Sequence, residues 1–151
     1  HTPYRVILDY AHSPASLESI LKTIREFTKG RLICVFGCGG GRDKEKRPIM
    51  GEISGRLADY SILTSDNPRL EDPMEILREI EAGIQPTGAP YTVIENRREA
   101  IRFAMQMGKP GDVIVLAGKG HETYQDIGGR KLPFDEKVVV RELLSEMELV
   151  E

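Results

Sequence analysis

Five short runs of this chain are apolar almost without a break: "YRVILDY", "RLICVFG", "YSILTS", "YTVIE" and "DVIVLAG". A strand with one wet face alternates apolar and polar residues, whereas a strand covered on both faces does not. These runs therefore read as parallel strands between layers of helix. The segments between them carry helix signals. Ser13 and Pro14 form an N-cap with proline at the first helical position. Leu17, Ile20, Leu21, Ile24 and Phe27 then repeat at helical spacing, with Gly30 as the stop. Pro48 opens a second segment that sets Ile49, Met50, Ile53 and Leu57 on one face. Asp72 and Glu75 have capping-box spacing ahead of Ile76, Leu77 and Ile80, with Gly83 at the end. Asn96 and Glu99 repeat that spacing before Ala100, Ile101, Ala104 and Met105. "TYQDIGGRKLPF" predicts a hairpin turning at Gly128-Gly129. A last helix is expected from Glu136 to Glu148, with Val139, Leu143 and Met147 inward.

The pattern predicts one α/β domain over residues 1–151. Its sheet should be open, mostly parallel and Rossmann-like, with about six strands, helices on both faces and a C-terminal β-hairpin. Apolar residues at 40% and charged residues at 30% fit a globular chain. A net charge of −3 without a basic block gives no nucleic-acid footprint. The apolar runs are strand-sized, too short for a membrane span. The start, "HTPYRVILDY", has no basic, apolar signal-peptide pattern; it lacks an initiator Met and enters a strand at once, as a segment of a longer chain would. Cys34 falls in an apolar run and Cys38 in a Gly-rich loop; a disulfide or metal pair is open, but two Cys and three scattered His make a poor zinc set. The lack of a disulfide framework points to the cytoplasm.

In open α/β sheets ligands bind beyond the carboxyl ends of the strands. Four of the five strand exits carry unusual polar or glycine-rich residues: "DYAHSP", "GCGGGRDKEKRP", "TSDNPR" and "AGKGHE". The fourth exit, "ENRRE", reads as a helix start and little else. Asp9 suits either a ribose hydroxyl or a helix cap, and His12 stands beside it. "GCGGGR" departs from the dinucleotide fingerprint because Arg42 takes the place of its last glycine. Its backbone N–H groups at Gly40 and Gly41 suit an anion. Arg42 is the ligand candidate there, while Lys44, Glu45 and Lys46 read as a solvated turn. In "AGKGHE", which is not a Walker loop, the glycines admit a ligand close to the backbone and Glu122 suits an ammonium. His121 is either a base or, more often for a lone histidine, structural. In "DNPR" the acid of Asp66, the amide of Asn67, the stiff Pro68 and the fork of Arg69 suit a zwitterion; the alternative is a plain ion pair of Arg69 with Glu71 or Asp72.

Taken together, "DYAHSP", "VFGCGGGRDKEKRPIMG", "TSDNPR" and "LAGKGHETYQ" resemble the C-terminal domain of the Mur ligases, over essentially the whole chain. "DNPR" with "GKGHE" is similar to the branch that adds 2,6-diaminopimelate. The resemblance implies an ATP- and Mg2+-dependent amide-bond ligase of peptidoglycan synthesis. ATP phosphorylates the D-glutamate γ-carboxylate of UDP-MurNAc-L-Ala-D-Glu, and the amine of meso-diaminopimelate attacks the acyl phosphate. It implies that this domain binds the incoming amino acid and packs over a central ATPase domain that holds most of the ATP and Mg2+ contacts. Arg42, Asp66, Asn67, Pro68, Arg69, Gly118 and Glu122 match diaminopimelate positions. Arg69 and Arg42 then suit the far carboxylate, and Glu122 with the Asp66-Asn67 pair the far ammonium. Asp9, His12, Gly40 and Gly41 are expected near the nucleotide, with Gly41 standing where many relatives have an Asp linked to the ribose. No metal ligands and no catalytic residue are expected in this segment, which alone should be inactive. A lysine-adding relative, or a non-catalytic nucleotide- or anion-binding module, are the alternatives.

Overall fold

The computed structural model describes residues 3–41 and 43–150, with side chains through residue 148. The five apolar runs form β1 (Arg5–Asp9), β2 (Leu32–Phe36), β3 (Tyr60–Leu63), β4 (Tyr91–Val93) and β5 (Val113–Ala117). They make one parallel sheet in the order β1-β5-β2-β3-β4. Every residue of β2 and β5 is buried, which is why these two central strands show no alternation. The C-terminal hairpin, β6 (Tyr124–Ile127) and β7 (Arg130–Pro133), pairs only with itself as a second, antiparallel sheet. The expected six or so strands are thus five in the main sheet plus this ribbon. It turns at Gly128 and Gly129, both at positive φ, as a two-residue hairpin loop requires.

Helices α1 (Pro14–Arg25), α2 (Lys46–Leu57) and α3 (Pro73–Ile84) cover one face; α4 (Arg97–Met107) and α5 (Glu136–Val150) cover the other. Three of the caps fall where the sequence puts them. Ser13 exchanges side-chain and backbone bonds with Ser16, Asp72 accepts from the Met74 N–H, and Asn96 accepts from the Glu99 N–H.

Three sequence expectations are corrected. Phe27 lies past the end of α1 and is 46% exposed, under the Arg5 guanidinium. Ile49 also faces solvent, because α2 packs through Arg47, Met50, Gly51, Ser54 and Gly55 instead. Gly83 does not end α3. It lies within the helix, where a Cβ would fall on the Pro48 carbonyl oxygen, and the chain turns later, through Gln85–Thr87 to Gly88.

Candidate functional site

The five parallel strands all release their chain at one edge. From β1, β2 and β3 it runs to helices on one face; from β4 and β5 it runs to the other. Because β5 lies between β1 and β2, neighbouring connections part at that point, which is where open α/β sheets place a ligand. A crevice of about 80 Å³ opens there. Tyr10 and His12 line it from the first exit, and Gly37 to Gly39 and Lys46 from the second. Asp66, Asn67 and Arg69 come from the third, Gly118 and Glu122 from the fifth.

Backbone contacts hold these loops in register. The Gly40 N–H donates to the Asn67 carbonyl at 2.8 Å, and a Cβ at Gly40 would collide with the Pro68 carbonyl oxygen. Arg69 has φ 55°, the left-handed region that a non-glycine residue occupies only when its surroundings dictate it. The hairpin does so. The Arg69 N–H donates to the Asp126 carbonyl at 2.9 Å, and the Arg69 carbonyl accepts from the Gly128 N–H at 2.6 Å. Gln125 adds a bond to the Ser65 carbonyl, and the Asp126 N–H donates to Asn67 Oδ1 at 2.9 Å. The hairpin is therefore a clamp on the third exit loop.

Three fully buried cations support the crevice, and the first of them, Arg47, donates to the Gly39 carbonyl at 2.9 Å. Arg97 donates to the Ser65 carbonyl at 2.9 Å, to the Ala117 carbonyl at 3.1 Å and to Glu136 Oε2 at 2.7 Å. It joins the ends of β3 and β5 to the start of α5. Lys119 donates to Asn67 Oδ1 and to the Tyr124 carbonyl, each at 2.9 Å, and stands 3.4 Å from both Asp66 Oδ1 and Glu122 Oε1. Asp66 Oδ1 is buried without a hydrogen-bond partner among the described residues.

The charge pattern at the mouth is mixed. Arg69 Nη1 donates to the Gly40 carbonyl at 2.9 Å, and among the described residues Arg69 has no carboxylate partner. Glu71 is already taken: Arg47 and Lys44 pair with it, and the Gly41 N–H donates to it at 3.0 Å. The Arg47 hydrogen bond, with those of Gly41 and Lys44, holds the Glu71 carboxyl below its ordinary range despite partial burial. The plain ion pair of Arg69 with Glu71 or Asp72 is thus absent. A half-buried guanidinium aimed at a crevice that also holds Asp66 and Glu122 can bind a carboxylate and an ammonium on one molecule.

The family model described as "Mur ligase, glutamate ligase domain" matches residues 1–120. The chain belongs to the Mur ligase family. It is 56% identical over 145 residues to a UDP-N-acetylmuramoyl-L-alanyl-D-glutamate--2,6-diaminopimelate ligase of Caldanaerobacter subterraneus subsp. tengcongensis, and 58% identical over 144 residues to one of Clostridium acetobutylicum. These matches cover 96% and 95% of the chain but 30% of each relative, so the chain spans about a third of their length. A solved structure of an enzyme of the same name superposes with a TM-score of 0.93 at 42% identity, covering 98% of this chain and 30% of that one. A Mycobacterium tuberculosis folylpolyglutamate synthase complexed with ADP shares the fold alone, with 23% identity, a TM-score of 0.57, and coverage of 75% of this chain and 27% of that one.

Within this Mur ligase fold the crevice brings together most of the residues singled out from sequence: His12, Asp66, Asn67, Arg69, Gly118 and Glu122. Arg42 lies outside the described residues. Pro68 is buried and stiffens the loop from below. Asp9 neither caps α1 nor faces the crevice: its Oδ2 accepts from the Ala11 N–H at 2.8 Å and shapes the first exit loop. The Gly40 and Gly41 N–H groups, read as anion donors, are occupied by the Asn67 carbonyl and by Glu71. Asn67 also presents a different face from the expected one. Its Oδ1 is held by Lys119 and Asp126, so an ammonium finds no free acceptor there, and its Nδ2 is the group left facing Glu122 at 3.4 Å. His121 is exposed rather than packed. Lys46 is not merely solvated: its Nζ reaches the His12 carbonyl at 3.1 Å and ties the first exit to the second. Cys34 and Cys38 are free and buried, and burial pushes each thiol up to about 12. Sequence reading missed Lys119, Arg97 and Arg47 as site supports. A basic residue in a strand-exit loop or first helical turn was the only signal available.

Proposed function

We propose that this chain is the amino-acid-binding C-terminal domain of an ATP-dependent ligase that adds meso-diaminopimelate to UDP-MurNAc-L-Ala-D-Glu in peptidoglycan synthesis. The observation that carries this reading is the Arg69 guanidinium, without a carboxylate partner among the described residues and lining one crevice with Asp66 and Glu122. Diaminopimelate has an amino-acid group at each end. One amine must remain free to attack the acyl phosphate, so the site grips the far end. Arg69, with Arg42 and the Nδ2 of Asn67, serves the far carboxylate; Asp66 and Glu122 serve the far ammonium. Lysine lacks that carboxylate and would leave Arg69 facing nothing. The names of relatives at 56% and 58% identity support the same substrate.

Mg2+ and ATP belong to the reaction on this reading, but this segment does not suit them as a resident site. Among the described residues no group of three or more His, Cys, Asp or Glu could hold a metal ion. The loop N–H groups of Gly40 and Gly41 already have acceptors. The reading assigns triphosphate and metal to a central domain, against which this one closes with Asp9, His12 and the Gly-rich loop nearest the nucleotide. Closure would bring the amine to the acyl phosphate and exclude water. No helix among the described residues is long and apolar enough to cross a membrane. The UDP-linked substrate and ATP place the reaction in the cytoplasm.

The test is steady-state kinetics of the full-length ligase. Arg69→Ala should raise the KM for diaminopimelate about 10- to 100-fold, the range of a charge-assisted hydrogen bond. The KM values for ATP and the UDP-dipeptide should stay within about twofold. An unchanged diaminopimelate KM, or lysine turned over as well as diaminopimelate by the wild type, sinks the reading.

A further inference from the structure

We infer that Lys119 is a positioning residue for the incoming amino acid: a buried cation that touches no substrate, yet fixes which atoms of Asn67, Asp66 and Glu122 the crevice presents. The inference rests on the reading of the crevice as the amino-acid site.

The geometry of the ammonium carries it. Lys119 is fully buried, and an ammonium has three N–H donors and no acceptor. One goes to Asn67 Oδ1 at 2.9 Å and one to the Tyr124 carbonyl at 2.9 Å. The third faces two carboxylates, Glu122 Oε1 and Asp66 Oδ1, each 3.4 Å away. The Tyr124 ring centroid lies 5.8 Å from the same nitrogen. No hydrogen remains for a substrate, which rules Lys119 out as a direct ligand.

Three consequences follow for the crevice. First, Asn67 Oδ1 receives two donors, Lys119 Nζ and the Asp126 N–H at 2.9 Å, so the amide cannot turn over without orphaning both. Nδ2 must then face the crevice, and Asn67 acts as a donor beside Arg69. Second, Asp66 and Glu122 approach each other around a shared cation; without it two carboxylates would face one buried point uncompensated. Third, Lys119 is the buried cation that both crevice carboxylates face, while Arg69 and Lys46 line the crevice without a carboxylate partner among the described residues, so a ligand carboxylate meets free cations and a ligand ammonium meets Asp66 and Glu122.

The experiment uses the full-length ligase and Lys119→Met, which keeps length and removes charge, in a cycle with Asn67→Ala. Lys119→Met should raise the KM for diaminopimelate at least tenfold. The kcat and the KM values for ATP and the UDP-dipeptide should stay within about threefold. In the Asn67→Ala background the same substitution should raise it by a clearly smaller factor than in the wild type, the remainder acting through Asp66 and Glu122, because residues that share a contact are not additive. An unchanged diaminopimelate KM overturns the inference. So does a fall in kcat with every KM unchanged, a joint rise of all three KM values, or full additivity with Asn67→Ala. Should Lys119→Met not fold, Lys119→Arg, which keeps the charge but cannot place it at the same point, runs in the same cycle with the same criteria. The wild-type and Arg69→Ala measurements separate the two levels. If those behave as proposed and Lys119 does not, only the positioning role falls; if Arg69→Ala is silent, the site assignment falls first.

Discussion

Arg97 shows how one side chain at an unremarked helix start can fix a site it does not enter. Its guanidinium has no exposure and meets two strand-end carbonyls and Glu136, which is equally buried. Glu136 Oε1 has no partner among the described residues, so Glu136 depends on Arg97 alone for compensation of its charge. Removing one member of a buried ion pair costs far more than removing both, since it leaves an uncompensated charge. Arg97→Met should therefore destabilise the domain by ~3–5 kcal/mol, and Arg97→Met with Glu136→Leu should recover much of that loss. Chemical denaturation at neutral pH checks it. A single variant within ~1 kcal/mol of wild type, or a double variant no better than the single, would mean that the pair does not bind the carboxyl ends of β3 and β5 to α5.

At the scale of elements, the contact between α2 and α3 explains both what the sequence revealed and what it concealed. The central strands were legible because burial on both faces leaves an unbroken apolar run, and α1, α3 and α4 because their caps and apolar stripes coincide. The inward face of α2 could not be read that way. Met50, Ile53 and Leu57 do pack against the core, but the other buried positions are Arg47, Gly51, Ser54 and Gly55, with Ser54 bonded to Ser61 at 2.6 Å, so the apolar stripe marks only part of the face. Small residues do the packing: a Cβ at Gly51 would meet the Ile80 carbonyl, and one at Gly83 the Pro48 carbonyl. An exposed mid-helix glycine gains ~1 kcal/mol on substitution by alanine. Here the sign should reverse. Gly83→Ala should destabilise by ~1–3 kcal/mol as the helices are forced apart, seen as a lower melting temperature. A stabilised Gly83→Ala variant would show that the two backbones are not in contact.

Across the whole molecule, ionic groups anchor the central strands at both edges of the sheet, β3 and β5 at the carboxyl edge and β2 and β5 at the amino edge. The candidate site was legible as four loops because strand exits advertise their polar residues locally. Its supports were not, since Lys119 meets Asn67 across 52 residues and Arg97 meets Glu136 across 39, distances only the fold closes. At the opposite, amino edge, Asp112 plays the matching part. It accepts from the Arg31 N–H at 2.7 Å, from Arg31 Nη2 at 2.8 Å and from the Lys109 N–H at 2.9 Å, just ahead of β2 and β5. Burial alone would lift the Asp112 carboxyl, but Arg31 and the two backbone N–H groups outweigh it and hold the group below its ordinary value. A carboxyl lowered in the folded state contributes stability that is present above its unfolded value, about 4, and is lost as pH falls through the folded value. Asp112→Asn should therefore cost ~1.5–3 kcal/mol at about pH 7, the range of hydrogen bonds to a charged group. The gap between wild type and variant should hold down to about pH 5 and then narrow steadily through the acid range as the wild type takes up its proton. Denaturant melts of both proteins at matched pH measure that gap directly. A gap of constant size from neutral to strongly acidic pH would mean that the Asp112 charge does not hold the amino edge, leaving neutral hydrogen bonds and packing to do it.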